Sequence, residues 1–212
     1  MAPKNKFTRA EMVMAAVRVV QKKGSRALTA RAIADELGVS TQPVFTCFKT
    51  MEEAQNEVRA AAEEIYEKYV SEGLKAPIPF YGFGMCHIRF AKEEQELYRL
   101  LFLDGSAHGE NGAMEAMHRS QNLLRESLER IYRMDADTAD RYFRDMWLVV
   151  HSLCSLIVTG NCAFSQQEVQ QLLTGFSLSL CKALKEVPGF AEGTFDRDEA
   201  FRKMIGDAET RV

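Results

Sequence analysis

Apolar residues recur along this 212-residue chain at intervals of three and four, the spacing of one face of an α-helix. The first such face carries Met12, Ala16, Val19 and Val20, in a segment that begins after Thr8. No segment combines sustained two-residue alternation with many β-branched residues, which is the pattern of a half-buried strand. The sequence therefore predicts an all-α fold.

Local start and stop signals divide this pattern into about nine helices. A Ser or Thr followed three residues later by Glu, the capping box of a helix N-terminus, occurs at Thr8, Thr50 and Ser165. Five prolines leave long stretches uninterrupted. The predicted spans are 8–24, 29–37, 41–47, 50–73, 80–91, 93–102, 113–132, 137–160 and 166–186, with a further short helix near 197–205.

The segment Leu28–Lys49 has the pattern of a helix-turn-helix motif. Gly38 permits the left-handed turn between two short helices, and Ala34 is small enough for those helices to cross closely. We expect Ser40 or Thr41 to cap the second helix of the pair. That helix could lie in the major groove of DNA with its first residues against base edges.

The charge of the chain is concentrated at its N-terminus. Residues 1–50 hold nine Lys and Arg against three Asp and Glu, a net charge of +6. The remaining residues hold 18 against 27, a net charge of −9. This asymmetry indicates either a segment that binds nucleic acid or a solvated basic surface without a partner.

Cysteine content and hydropathy indicate a cytoplasmic protein without a membrane segment. The five cysteines are odd in number and form no C-x-x-C pair, so we interpret them as reduced. The longest apolar stretch, Met146–Val158, is too short and too polar to span a bilayer.

Motifs for enzymatic or metal chemistry are absent from the sequence. There is no G-x-S-x-G, no phosphate-binding glycine loop and no H-E-x-x-H, and the four histidines lack H-x-x-x-H spacing. We therefore predict neither an enzyme nor a bound metal or cofactor.

Residues 8–59 resemble the DNA-binding domain of TetR/AcrR-type regulators. The matching residues are spread over about fifty positions in the right order: Arg9, Ala15-Ala16, Gly24, Leu28-Thr29, Ile33-Ala34, Leu37-Gly38-Val39-Ser40, Phe45, Phe48-Lys49 and Glu52-Glu53. A second segment, Trp147–His151, resembles a Trp–His–Gly motif of one C-terminal subgroup, with Ser152 in place of Gly.

The resemblance implies an all-helical homodimer that binds double-stranded DNA at a palindromic operator. It implies a helix-turn-helix domain at 1–50 with a connecting helix at 50–73. A ligand-binding and dimerisation domain would follow at 74–190, and 191–212 form a polar tail.

The resemblance also implies which residues contact DNA. Thr29 and Lys49 would touch phosphates, Gln42 could pair with adenine, and Thr41 and Val44 could pack on a thymine methyl group. The predicted DNA-binding set is Thr29, Ser40, Thr41, Gln42, Val44, Phe45, Thr46, Lys49 and Lys6.

Two departures from the family pattern fall in this set. Phe45 stands where the family usually has Tyr, and Thr46-Cys47 replace larger residues. We therefore expect weaker binding or an unusual operator, with Lys49 and the N-terminal basic residues Lys4, Lys6 and Arg9 supplying more of the attraction.

Met and aromatic residues of the C-terminal half predict an adaptable apolar pocket for a small-molecule effector. The alternative for each is a place in the core, and for the two histidines a buried, hydrogen-bonded role. The predicted pocket residues are Phe83, Phe90, Tyr98, Phe102, Met114, Met117, His118, Trp147 and His151.

Two predicted helices, 137–160 and 166–186, are apolar over more than one stripe and so need a second surface to bury. A contact with a second subunit would satisfy both, and a monomeric bundle core is the alternative. The predicted interface residues are Val150, Cys154, Ile157, Val169, Leu172, Leu173, Phe176 and Leu180.

Taken with the resemblance, these features predict a dimeric, ligand-responsive transcription regulator, by family habit a repressor. A small apolar or amphipathic effector would favour a head spacing that no longer fits the operator, with helix 50–73 as the lever. The alternative is a small-molecule-binding or interaction module with a vestigial DNA-binding head.

Overall fold

The computed structural model describes residues 7–104, 112–162 and 164–205. Within these ranges every regular element is helical and no strand occurs, which confirms the all-α prediction. The ten α-helices are α1 (Arg9–Lys23), α2 (Ala30–Leu37), α3 (Gln42–Cys47), α4 (Met51–Gly73), α5 (Pro79–Glu93), α6 (Gln95–Tyr98), α7 (Gly112–Tyr132), α8 (Ala136–Val158), α9 (Gln166–Glu186) and α10 (Arg197–Ile205).

The helix-turn-helix motif forms as the sequence predicts. Gly38 adopts the left-handed conformation (φ +66°) and ends α2, and the Val39 amide donates to the Ala34 carbonyl at 3.0 Å. Ile33 and Ala34 are buried where α2 packs on its neighbours. The turn therefore fixes α3 against α2, as the geometry of a reading head requires.

Capping at the helix N-termini follows the sequence signals with two differences. Thr8 and Ser165 form complete capping boxes with Glu11 and Glu168. The expected side-chain cap of α3 is wrong, because Thr41 already has helical backbone angles (φ −72°, ψ −15°) and makes no capping hydrogen bond.

The second difference concerns α4. The Glu53 amide donates to the Thr50 hydroxyl at 3.1 Å, but the Glu53 carboxylate accepts from the amide of Lys49 rather than that of Thr50. This contact lies one residue further back than in a capping box, and it ties the C-terminal end of α3 to the first turn of α4.

The predicted helix at 93–102 is not one regular helix. Glu94 interrupts it (φ −121°, ψ 51°), α6 is only four residues long, and Arg99–Leu103 form a π-helical turn. Turns of this kind inside helices are rare and occur frequently at functional sites.

Contacts divide the chain into two compact units, and the division falls within α7 and α8. One unit comprises the residues up to Ala116 together with Ser152–Cys162, and the other comprises Met117–His151 and the residues from 163 onward. The first is called the head unit below and the second the tail unit.

In the head unit, α4 and α5 cross at two glycines. A Cβ atom added to Gly82 would lie 2.2 Å from the Gly73 carbonyl oxygen, and one added to Gly73 would lie 2.6 Å from the Gly82 oxygen. Only glycine at both positions permits this backbone approach.

The tail unit has its own core and polar clasps. Tyr142, Phe143, Met146 and Trp147 of α8 are all at most 2% exposed. Arg125 makes two hydrogen bonds to Asp140, at 2.7 and 2.6 Å, and so links α7 to α8.

Candidate nucleic-acid interface, aromatic cluster and exposed helix faces

Helix α3 presents one face to the core and one to solvent. Val44 and Phe48, one turn apart, are 0% and 1% exposed. The opposite face carries the exposed side chains of Thr41, Gln42, Phe45 and Thr46. We call these four residues the reading face.

Val44, a member of the predicted DNA-binding set, faces the protein core. Its side chain is fully buried, so it cannot pack on a thymine methyl group without leaving the core. The position lies one turn before Phe48, and the two form the inward stripe of a six-residue helix. The prediction for Val44 is therefore wrong. It rested on the family pattern, which does not show which side of α3 is buried in this chain.

The reading face is poor in groups that can hydrogen-bond to bases. Phe45 is 57% exposed and has no polar side-chain atom. The Thr46 hydroxyl donates to the Gln42 carbonyl one turn earlier, at 2.9 Å, and is thereby engaged within the helix. The Gln42 amide and the Thr41 hydroxyl are thus the polar groups of the face that are left for a partner.

Cys47, next along the helix, does not add a charge. Burial raises the pKa of its thiol above the ordinary value, so the group is neutral at physiological pH.

The other predicted phosphate contacts lie at exposed positions around α3. Thr29 caps α2, with its hydroxyl accepting from the Ala32 amide at 3.1 Å. Ser40 and Lys49 are exposed on either side of α3. Lys6 lies outside the described residues. The roles of these residues toward DNA stay predictions.

Arg9 holds the end of α3 in place. Its guanidinium donates to the Cys47 carbonyl at 2.8 Å, to Glu53 at 2.7 Å and to Glu57 at 2.8 Å, and lies over the Phe48 ring. We call this arrangement the Arg9 clamp.

Hydrogen bonds within the clamp shift the pKa values of its members. The hydrogen bonds that Arg9 donates to Glu57 and Glu53 raise the pKa of Arg9. The hydrogen bonds that Glu53 accepts from Arg9 and from the Lys49 amide lower the pKa of Glu53. The sequence assigned Arg9 to a basic arm; the structure instead places its charge against two carboxylates. Their separation from Arg9 by more than forty residues left no sequence signal for the pair.

Part of the positive charge of the N-terminal region is neutralised in the same way. Glu36 accepts from Lys22 at 2.7 Å and from Arg18 at 3.0 Å, and these bonds lower its pKa. In the part of the chain that the structure describes, no ion pair involves the exposed side chains Lys23, Arg26, Arg31 and Lys49. These four are the cations available to a polyanion.

Four predicted pocket residues of the head unit, Phe83, Phe90, Tyr98 and Phe102, form a buried aromatic cluster with two that the sequence did not single out, Tyr66 and His87. The His87 ring is fully buried, its Nδ1 lies 2.8 Å from the Tyr66 hydroxyl, and its centroid lies 5.1 to 5.9 Å from four aromatic rings. Burial also raises the pKa of Tyr98, which keeps its hydroxyl neutral. The sequence treated His87 only as a metal-ligand candidate.

The π-helical turn joins this cluster to α4 and to the residues directly after α1. Tyr98 and Phe102, with ring centroids 4.8 Å apart, flank or lie in the turn. Asp104, directly after it, accepts from the Ser25 hydroxyl at 2.8 Å, and the Leu100 carbonyl accepts from Arg59 of α4 at 2.7 Å.

The residues directly before the π-helical turn also contact α1. Gln21 of α1 donates to Glu94 at 2.8 Å, and α6 packs on α1.

The remaining predicted pocket residues are placed differently. His118 is exposed and Met114 is 39% exposed, so neither lies in a buried cluster, and their role in an effector pocket stays a prediction. On the amphipathic α7 they lie on the side facing solvent. In the tail unit, Met117 and Trp147 are buried.

His151 stacks on Trp147 one turn away, with centroids 4.7 Å apart and an interplanar angle of 6°. Burial lowers the pKa of His151.

Helices α8 and α9 each expose apolar residues, but only some of those predicted. Val150, Cys154, Val169 and Leu173 are at most 4% exposed, so they are core residues rather than surface contacts. Ile157, Leu172 and Leu180 are half-buried, and Phe176 is 50% exposed. Three exposed leucines were missed: Leu148, Leu156 and Leu178.

The exposed side of α9 forms a shallow groove. Its volume is about 610 Å³, and Phe164, Leu172, Gly175 and Phe176 supply its apolar lining. On a helix with two apolar stripes, periodicity alone does not decide which stripe faces the core.

Among the described residues, no group of three or more His, Cys, Asp or Glu side chains could hold a metal ion. None of the helices in the described ranges is both long and apolar enough to cross a membrane.

Comparison with known proteins agrees with this architecture. Residues 80–175 match the family model of the tetracyclin repressor-like C-terminal domain. The chain also matches the solved structure of a protein described as a TetR family transcriptional regulator from Vibrio parahaemolyticus. That match has a TM-score of 0.54 and 13% identity, and covers 81% of this chain and 97% of the other. Residues 80–175 of this chain thus match a tetracyclin repressor-like C-terminal domain, and the chain shares its fold with the Vibrio protein.

No curated protein matches the chain. At 13% identity the likeness to the Vibrio protein establishes the fold.

Proposed function

We propose that this protein is a dimeric DNA-binding regulator of the TetR family, a repressor that binds a palindromic operator and is released by a small apolar or amphipathic effector. The observation that carries the proposal is the reading face, four exposed side chains on the second helix of a helix-turn-helix motif. A short helix held in this way fits the major groove.

Charge supports DNA as the partner. Lys23, Arg26, Arg31 and Lys49 are exposed and form no ion pair within the described residues. Unpaired cations displace counterions from the phosphate backbone, which supplies most of the sequence-independent affinity for DNA.

The exposed apolar side of α9 supports a dimer. Phe176 is 50% exposed on the groove side of α9, one turn from the half-buried Leu172. A second copy of the chain would remove these side chains from water. A dimer would also place two reading heads on the half-sites of a palindrome.

The aromatic cluster and the π-helical turn support control by an effector. A ligand that inserts beside Tyr98 or Phe102 would displace the turn that carries Asp104. The Asp104–Ser25 hydrogen bond would then pass this displacement to the residues directly after α1. The effector would act through its different affinity for the two arrangements.

Selection of bound sequences from random duplex DNA at low salt tests the proposal. We expect enrichment of a palindrome whose half-sites lie about one helical turn apart. Absence of any enriched sequence would contradict it and favour an interaction module with a vestigial head. The observation that favours a vestigial head is that Arg9, Arg18 and Lys22 are paired with carboxylates.

Two substitutions separate phosphate contact from base contact. Lys49→Ala should weaken binding to all sequences about equally and reduce the salt dependence by about one counterion. Gln42→Ala should cost about 1–3 kcal/mol on the selected site and relax discrimination there. A change of sequence preference in Lys49→Ala without a change in salt dependence would contradict the phosphate role.

A further inference from the structure

Phe45 gives the reading face an unusual chemistry for a surface that contacts bases. It is 57% exposed although it is aromatic and directly follows the buried Val44. Its own amide donates to the Thr41 carbonyl at 3.2 Å, so Thr41 and Phe45 stand one above the other along the exposed face.

Thr46 adds a second apolar group beside Phe45. Its hydroxyl is hydrogen-bonded to the Gln42 carbonyl, so the methyl group is the part of the side chain left for a partner. Val44 and Phe48 face the core and contribute nothing outward. The Gln42 amide therefore stands next to a ring and a methyl group.

Base edges in the major groove offer such groups a single apolar partner, the C5-methyl group of thymine. The other edge groups are donors and acceptors. An aromatic ring or a methyl group laid against them would remove water without replacing its hydrogen bonds, which is unfavourable.

We propose that Phe45, together with the methyl group of Thr46, recognises the C5-methyl group of thymine. This inference rests on the proposed DNA-binding function and names the base chemistry that the reading face selects. The operator half-site then carries thymine against Phe45, with Gln42 reading a neighbouring base pair. Sequence discrimination comes from methyl contact more than from hydrogen bonds.

Charge around Phe45 identifies a duplex rather than a protein as the partner. Lys49 lies one turn beyond Phe45, and Arg31 lies in the first turn of α2; both are exposed. Cations on the flanks of an apolar reading face fit phosphates on either side of a groove.

Replacement of thymine by uracil in the selected operator tests the inference, because uracil lacks only the methyl group. Loss of one buried methyl contact should weaken binding about fourfold, and substitution in both half-sites about sixteenfold. Uracil placed outside the half-sites is the control and should leave binding unchanged. Equal binding of the thymine and uracil operators overturns the inference.

Variants of the reading face assign the contact to residues. Phe45→Ala should bind the thymine operator more weakly and should lose most of its preference over the uracil operator. Thr46→Val, which keeps the methyl group and replaces the hydroxyl, should keep the preference for the thymine operator over the uracil operator. Thr46→Ser, which keeps the hydroxyl, should lose part of the preference. Unchanged thymine preference in Phe45→Ala overturns the role of Phe45.

The outcomes for the two proposals can be told apart. Absence of any selected DNA overturns the proposed function and this inference with it. A selected operator that lacks thymine, or that tolerates uracil, overturns the inference alone. Because Phe45 is largely exposed, thermal unfolding of Phe45→Ala should match that of the wild type and show that lost binding is not lost folding.

Discussion

At the scale of single residues, burial sets the chemistry of His151. The ring lies flat on buried Trp147, and burial lowers its pKa below the ordinary value of 6.5. The folded state therefore favours the neutral ring, while the unfolded chain gains a proton near pH 6.5. Between the lowered pKa and 6.5 the unfolded state binds more protons, so stability is full above this range and falls as pH falls through it.

The variant His151→Phe tests this linkage, since it keeps a ring against Trp147 and removes the titration. The unfolding midpoint of the wild type should fall by more than that of His151→Phe between about pH 7 and pH 5. Thermal unfolding measured at several pH values gives the comparison. Parallel pH profiles for the two proteins would contradict the assignment to His151.

At the same scale, residues with local partners could be predicted and those with distant partners could not. Thr8 and Ser165 are capped by acids three residues away, which a sequence pattern reports. Glu53 was recognised as a capping residue, but its bonds to Arg9 and to the Lys49 amide depend on how α1 and α4 pack. The burial of Val44 likewise depends on which side of α3 packs against the core.

At the scale of helices, the residues at which a helix begins and ends can be predicted from local sequence signals. Irregular turns, and which side of a helix is buried, cannot be predicted in this way. The span 166–186 was predicted with the bounds that α9 shows, because Ser165 caps it and Pro188 follows it. The π-helical turn at Arg99–Leu103 has no comparable signal, since five residues do not distinguish its wider pitch from that of an α-helix.

The crossing of α4 and α5 yields a prediction at this scale. Gly82→Ala forces a Cβ atom to within 2.2 Å of the Gly73 oxygen, so the helices must separate. We expect a loss of roughly 1–3 kcal/mol, about 2–10 °C in unfolding midpoint.

The matched control is Gly175→Ala in α9, where an added Cβ meets nothing within 4 Å of the single chain. Because Ala is the better helix former, this change should stabilise the isolated chain by roughly 0.5–1 kcal/mol. Equal midpoints for the two variants would show that the glycine crossing is not tight.

At the scale of the whole molecule, periodicity predicted that α8 and α9 carry surplus apolar surface, and the dimer contact expected there stays a prediction. Four of the residues named for it, Val150, Cys154, Val169 and Leu173, are buried within the chain, and the exposed Leu148, Leu156 and Leu178 were not among those named.

Phe176→Glu tests whether the exposed side of α9 pairs two chains. A charge placed in the groove should be expelled from a buried interface, and the protein should sediment as a monomer. Leu123→Glu is the control, because Leu123 is 61% exposed on α7 and should leave the sedimentation coefficient unchanged. A dimer that survives Phe176→Glu would place the interface elsewhere.

The Arg9 clamp has a consequence for genetics. Arg9, Glu53 and Glu57 hold the C-terminal end of α3, and two of the three are acids. Under the proposed function, a screen for derepression of a reporter should recover substitutions at all three positions beside those of the reading face. Combining Arg9→Glu with Glu53→Arg should not restore repression, because the acid at position 9 cannot donate to the Cys47 carbonyl and the guanidinium at position 53 cannot accept from the Lys49 amide.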